Sequence, residues 1–144
     1  MRNLFLMVIT VVLLSACAIS RHVVPANPST EIDTIYVLYN DRVHMEGMNE
    51  ELIELFKSMG FNAELYRNSA PDEAVHTFTY TANWTWDMAM YLSYFRGTLY
   101  EQGRVLGEIE YDARSGGSNM SKFGRSSNKI QPLLQDMLAN ARKH

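Results

Sequence analysis

The sequence predicts an α+β domain of two layers, a mainly antiparallel four- to five-stranded sheet with two helices on one face, in the order β-α-β-β-β-β-α. Three patterns predict it. Residues 76–86 alternate without a break, with His76, Phe78, Tyr80, Ala82, Trp84 and Trp86 on one side and Thr77, Thr79, Thr81, Asn83 and Thr85 on the other. That is the period of a strand with one buried and one wet face. Glu101-Gln102-Gly103-Arg104 supplies a tight turn between two further strands, residues 90–100 and 105–111, so these three strands form an antiparallel meander. Near the C-terminus Ile130, Leu133, Leu134, Met137, Leu138 and Ala141 repeat at the spacing of one helix face.

The remaining elements follow in chain order. Residues 34–39 (TIYVLY) form a short apolar run rich in β-branched and aromatic residues, which reads as a strand buried on both faces. Asn49 then caps a helix with Glu50 and Glu51 in its first turn, Leu52, Leu55, Phe56 and Met59 on its apolar face, and Gly60 as its stop. Residues 61–67 give a strand and residues 68–74, with Pro71, a loop. After the meander, residues 113–127 are a Gly/Ser-rich loop. Ser126 or Ser127 caps the last helix, and Pro132 sits in its first turn, where a missing N–H costs little.

Ahead of the domain stands a targeting segment. Arg2 provides a positive charge, and residues 4–14 (LFLMVITVVLL) carry no charge and only Thr10 as a polar residue. A helix of this length spans roughly 16 Å against about 30 Å of hydrocarbon, so it fits a signal peptide better than an uncleaved membrane anchor. Leu14-Ser15-Ala16-Cys17 follows and resembles the bacterial lipobox. The resemblance implies acylation of the Cys17 thiol, cleavage before Cys17 and acylation of the new amino group. Each buried CH₂ contributes about 0.8 kcal/mol, so two or three chains hold the protein at the membrane essentially permanently. Ala18, in place of the aspartate that resembles an inner-membrane retention signal, directs the expectation to the outer membrane, facing the periplasm. The organisation expected is a signal peptide over 1–16, the lipidated cysteine with a flexible tether over 17–33, and a single domain over 34–144. Pro25, Asn27, Pro28 and Ser29 mark the tether.

Composition excludes several function classes. Removing residues 1–16 of 144 leaves 128, enough for one modest core. The precursor has a net charge of −3 and the mature chain −4 once Arg2 is gone, which argues against a sequence-independent nucleic-acid partner. Cys17 is the only cysteine, so no intramolecular disulfide can form even in an oxidising compartment.

Tyr80-Thr81-Ala82-Asn83-Trp84-Thr85-Trp86-Asp87, then Tyr91, the turn at Gly103, Glu110-Tyr111, Gly116-Gly117 and Lys122-Phe123, together resemble the Sbal-type family of small, uncharacterised proteobacterial lipoproteins. The resemblance covers most of the mature chain and is strongest from about Thr79 onward. It implies a lipid-anchored envelope protein and transfers no catalytic residues.

His22, His44, His76 and His144 are scattered and share no ligand spacing, so neither a metal nor any cofactor is expected. Ser126-Ser127-Asn128-Lys129 matches S-x-x-K, but its companion motifs are missing and a helix cap explains the serines. Ser115-Gly116-Gly117-Ser118 does not follow the phosphate-loop pattern and reads as a connector. Glu108 and Glu110 share a strand face, as paired carboxylates sometimes do in glycosidases, yet they alternate with core positions as an exposed face would, so solvation is the default reading.

The most informative feature is the aromatic cluster around one β-turn: Tyr80, Trp84, Trp86, Tyr91, Tyr94 and Phe95. Most of these rings belong to the core, because large rings dominate burial energy. Those at the tip could form a docking patch, with Trp84, Trp86, Asp87 and Tyr91 as its residues. Asp87 has a second reading, a residue that caps its own turn. The function expected is that of a non-enzymatic envelope accessory or interaction subunit, held to the membrane by its lipid and binding an envelope protein. The alternative is a small envelope hydrolase or carbohydrate-binding module.

Overall fold

A computed structural model describes residues 18–43, 45 and 47–141. Six strands form one sheet: β1 (Ser20–Val24), β2 (Thr34–Leu38), β3 (Asn62–Tyr66), β4 (His76–Asp87), β5 (Ala89–Glu101) and β6 (Arg104–Asp112). Helix α1 (Met48–Ser58) follows β2, and helix α2 (Ser126–Met137) follows a single 3₁₀ turn at Met120–Lys122. Across the sheet the strands run β1-β6-β5-β4-β2-β3. The fold is therefore α+β in two layers, as the sequence implied.

Alternation along the meander builds the core face. Phe78, Leu99 and Gly107 stand in one row across β4, β5 and β6, Tyr80, Gly97 and Ile109 in the next, and Ala82, Phe95 and Tyr111 in a third. Their apolar side chains are buried under α1 and α2. Phe56 of α1 meets Phe78 edge-on at 5.1 Å between ring centroids, a favoured aromatic geometry. The turn into β6 has positive φ at both Gln102 (49°) and Gly103 (79°), which matches the right-handed twist of the flanking strands.

The intervening rows form the opposite face: Tyr36, Thr77 and Tyr100, then Thr79, Thr98 and Glu108, then Thr81, Arg96 and Glu110. Among the described residues no helix packs there. Arg96 donates to both carboxylate oxygens of Glu108 at 3.2 and 3.3 Å, and the Tyr94 hydroxyl donates to Glu110 at 3.0 Å. The two carboxylates that the sequence placed on one face are held by neighbours on the same open surface.

Several details differ from the sequence reading, each for a physical reason. The tether expected over 17–33 is part of the domain from Ser20 onward. β1 pairs antiparallel with β6 from Ser20↔Asp112 to Val24↔Glu108, the Ala26 amide donates to the Met137 carbonyl at 2.8 Å, and Ala26 and Ile32 are buried. An edge strand is held by main-chain bonds, and two isolated apolar residues show no period. The count of strands thereby rises to six. β2 is parallel to both of its neighbours, β3 and β4, and only Ile35 and Val37 are buried in it, so it is covered on one face rather than two.

The caps differ as well. Gly47, at φ 89°, precedes α1, and Asn49 lies inside the first turn, where its Oδ1 accepts from the Asn40 amide at 2.9 Å and the Tyr80 hydroxyl at 2.7 Å. That amide satisfies a buried hydroxyl of the core instead of a helix end. Arg125 precedes α2 without a side-chain cap.

A β-bulge shapes the end of the meander. Asn83 pairs with Tyr94 but Trp84 with Leu92, leaving Ser93 as the extra residue of β5. The Ser93 hydroxyl donates to the Asn83 carbonyl at 3.1 Å, and the Ser93 carbonyl accepts from the Ala113 amide at 2.8 Å. Bulges re-aim the strand beyond them, and here they set the direction of the β4–β5 tip.

Candidate functional site

Beyond the bulge the hairpin divides its side chains between the body of the protein and solvent. Asp87 and Tyr91 turn toward the 113–125 loop. The Lys122 ammonium donates to Asp87 Oδ2 at 2.5 Å and to the Gly117 carbonyl at 2.5 Å, and lies 5.0 Å from the Tyr91 ring centroid and 5.3 Å from that of Phe123. Tyr91 is buried and meets Phe123 edge-on at 5.6 Å. Lys122 is itself 3% exposed, so its charge is held by a carboxylate, a carbonyl and two aromatic faces, the set of partners a buried ammonium needs. Trp84 is half-buried, and its Nε1 donates to the Ser126 hydroxyl at 3.2 Å.

Three of the four residues anticipated as a docking patch, Trp84, Asp87 and Tyr91, therefore fasten the tip to the loop and to the start of α2. The fourth, Trp86, is 69% exposed. Its cross-strand partner is Met90, 50% exposed, and between them Met88 turns the chain at φ 62° and is 78% exposed. Met120, in the 3₁₀ turn beside Lys122, is 66% exposed. A hollow of about 310 Å³ lies between Ser58, Met59, Phe61, Gln135, Leu138, Ala139 and Ala141, at the seam of the two helices. A second, of about 300 Å³, opens beside the tip among Met45, Glu51, Trp84, Met90, Leu92 and Arg125. Sequence reasoning missed the methionines because a lone Met carries no period, and it missed Lys122 because nothing in a Ser/Gly-rich loop marks a lysine as buried. Cys17, the expected acylation site, lies outside the described residues.

A second polar cluster sits at the far end of the strands. Glu101 is buried, and its carboxylate accepts from the Ser29 amide at 3.0 Å and hydroxyl at 2.5 Å, and from the Thr30 amide at 3.1 Å and hydroxyl at 3.2 Å. His76 Nε2 approaches it at 3.3 Å. The Ser29 hydroxyl bond, with the backbone and His76 bonds behind it, holds the Glu101 carboxyl down at about 2, against the opposing effect of burial. Ser29 addresses the carboxylate rather than the imidazole, so the three residues form a clamp on the 25–33 segment and not a serine–histidine relay.

The other motifs resolve into local contacts. Lys129 donates to the Ser121 carbonyl, and Ser126 receives the Trp84 N–H, so the S-x-x-K residues brace the loop. Among the described residues no group of three His, Cys, Asp or Glu side chains is placed to hold a metal ion, and no helix is long and apolar enough to cross a membrane.

No protein-family model and no curated protein matches the sequence. Solved structures do. The fold is similar to that of PelC. A single-substitution PelC dodecamer from Paraburkholderia phytofirmans superposes with a TM-score of 0.56 at 10% identity, covering 88% of this chain and 100% of that one. A second PelC dodecamer from the same organism gives 0.52 at 9% identity, with the same coverage. At these identities the likeness to PelC is one of fold.

Proposed function

We propose that this chain is an envelope lipoprotein, held to the outer membrane through acyl chains on Cys17 and facing the periplasm, whose domain is a non-enzymatic subunit that assembles with further copies of itself. The observation that carries this reading is the face of the six-stranded sheet that no described helix covers, where rows of Thr, Tyr, Arg and Glu offer a broad surface. An interface taken as a whole is about as polar as the rest of a protein surface, so a polar face can serve a subunit contact. Two further points support it. The PelC structures of similar fold are dodecamers, and Leu14-Ser15-Ala16-Cys17 ends one residue before the described domain.

The single cysteine makes the test direct. With Cys17 acylated, Thr81→Cys introduces the one free thiol, at the centre of the open face. Mild oxidation or a short bis-maleimide in intact envelopes is expected to give species of two or more linked copies, and multi-angle light scattering of the full chain in detergent is expected to give an oligomeric mass. A monomer in both measurements would overturn the assembly reading. Palmitate labelling tests the anchor separately: Cys17→Ser is expected to abolish both incorporation and processing.

A further inference from the structure

We infer that the β4–β5 tip is a membrane-contacting element: Trp86, Met88 and Met90 enter the lipid surface to which Cys17 is attached. The inference rests on the proposed acylation of Cys17 and extends it to side chains seventy residues away.

Strand register places the anchor and the tip at one end of the molecule. Ser20 stands in a row with Asp112, Tyr94 and Asn83. β1 runs antiparallel to β6, and β6 antiparallel to β5, so β1 leads away from the tip and the residues before Ser20 lead toward it. From Asn83 to Asp87 the hairpin extends four more residues, about 13 Å. From Ser20 back to Cys17 the chain can reach about 10 Å. Ile19 packs near Gly116, at the start of the loop that carries Met120 and Lys122, so the chain leaves the domain beside that loop. An acyl chain on Cys17 thus holds the tip within reach of the bilayer surface.

The chemistry of the two ends fits that orientation. At the tip end are the exposed Trp86, Met88, Met90 and Met120, an apolar set with the tryptophan favoured at the headgroup level. Basic residues surround it. Arg21 lies over the Tyr111 ring, Arg125 lines the hollow with Met90, and Lys129 starts the second turn of α2. Lys122 and Arg114 neutralise Asp87 and Asp112, Glu51 lies across the hollow from Arg125, and Glu110 bonds Tyr94 beside Arg114, so the named groups leave a small positive excess carried by Arg21 and Lys129, compatible with anionic headgroups. The opposite end holds Glu31, Asp33 and Glu73 around the start of β2 and β4, against Arg104 in the turn next to the buried Glu101, so an anionic surface favours it less than the tip end. A soluble-facing tip gains nothing from a tryptophan and a methionine paired in water, whereas a bilayer surface recovers their apolar area.

The test uses the full chain, purified with its lipid and reconstituted into phosphatidylethanolamine/phosphatidylglycerol vesicles, with and without brominated phospholipid as the quencher. The chain has two tryptophans, so Trp84→Phe isolates Trp86, and Trp86→Phe isolates Trp84. Brominated lipid is expected to remove about half or more of the Trp86 emission and to leave that of Trp84 little changed, as for a ring seated at the interface beside one packed on protein. Met88→Asp in the Trp84→Phe background is expected to restore the Trp86 emission. Equal, weak quenching of both rings in a palmitate-labelled, vesicle-bound protein would overturn the inference while leaving the anchor standing. A Trp86 blue shift that follows protein concentration and ignores bromine would also overturn it, assigning the tip to contact between copies. If Cys17 takes no palmitate, the anchor reading fails and this inference, which rests on it, is overturned with it.

Discussion

Gly97 is the position at which the packing of this domain is most sharply specified. A Cβ built there would lie 2.3 Å from Phe78 Cζ, 3.0 Å from Phe78 Cε2 and 3.1 Å from Phe95 Cε1. Both rings are fully buried, and Phe78 is pinned by the edge of Phe56, so neither can swing aside. Gly97→Ala therefore forces the Phe78 ring or the β5 backbone to shift, an overpacking cost of about 1 to 3 kcal/mol. Alanine recovers about 0.5 to 1 kcal/mol through the stiffer unfolded chain. The net loss expected is about 1 to 2 kcal/mol, which for a domain of this size lowers the melting temperature by roughly 3 to 8 °C. The assay is urea unfolding of Gly97→Ala, Phe78→Leu and the double variant. Leucine at position 78 has no atom where Cζ stood, so in that background Gly97→Ala is expected to be neutral or slightly stabilising, and the cycle is expected to yield a coupling of about 1 to 3 kcal/mol, the overpacking cost itself. An equal loss in both backgrounds, or a loss below about 0.3 kcal/mol in the parent, would refute the steric account.

Four further outcomes follow from the same contacts. Glu101 has a folded pKa of about 2 against an ordinary 4.5, so its stabilising contribution is complete above about pH 4.5 and is lost as the pH falls toward 2; urea midpoints should drop across that window in the parent and respond less in Glu101→Gln. Leu134→Ala, at a fully buried position of α2, should cost about 2 to 5 kcal/mol by chemical denaturation. Asp87→Ala leaves the buried Lys122 ammonium with the Gly117 carbonyl and the Tyr91 and Phe123 rings but no carboxylate, and should cost about 1 to 2 kcal/mol, whereas adding Lys122→Met to it should recover part of the loss. A chain beginning at Thr30 lacks β1 and Ala26 and should lose cooperative unfolding, which a dye-binding and near-UV circular dichroism comparison with the mature chain reads directly.

The legible parts of this fold are those written in periods. The Thr/aromatic alternation of β4, the Gln102-Gly103 turn and the Ile130/Leu133/Leu134/Met137 face each repeat a pattern whose spacing is the geometry itself. β1 escaped notice because Ser20-Arg21-His22-Val23-Val24 has no alternation; what holds it is main-chain pairing to a strand far along the sequence. Asn49 and Ser126 have the chemistry of caps, since a local hydrogen bond is the commonest use of such residues, yet each is taken by a distant partner, the Tyr80 hydroxyl and the Trp84 N–H. At the tip, alternation puts Trp84 and Trp86 on one face, while their distance along the hairpin decides their surroundings: Trp84 reaches Ser126 at the start of α2, and Trp86 stands beyond it opposite Met90. No sequence pattern marked the pairing of Asp87 with a lysine thirty-five positions later.

The pairing of β1 with β6 also governs the order in which the chain assembles. β1 is the first element of the domain, and its partner begins eighty residues after it ends. The meander and the two helices close through much shorter loops, so β1 docks after them, because the loss of chain entropy grows with the length of the loop to be closed. Until it does, β6 stands as an unpaired edge, open to the first strand of any neighbouring copy. A chain crossing into the periplasm with its N-terminus already fixed at the membrane would keep its own β1 close to its own β6. Tethering would then act as a folding aid, favouring closure within one molecule over strand exchange between two.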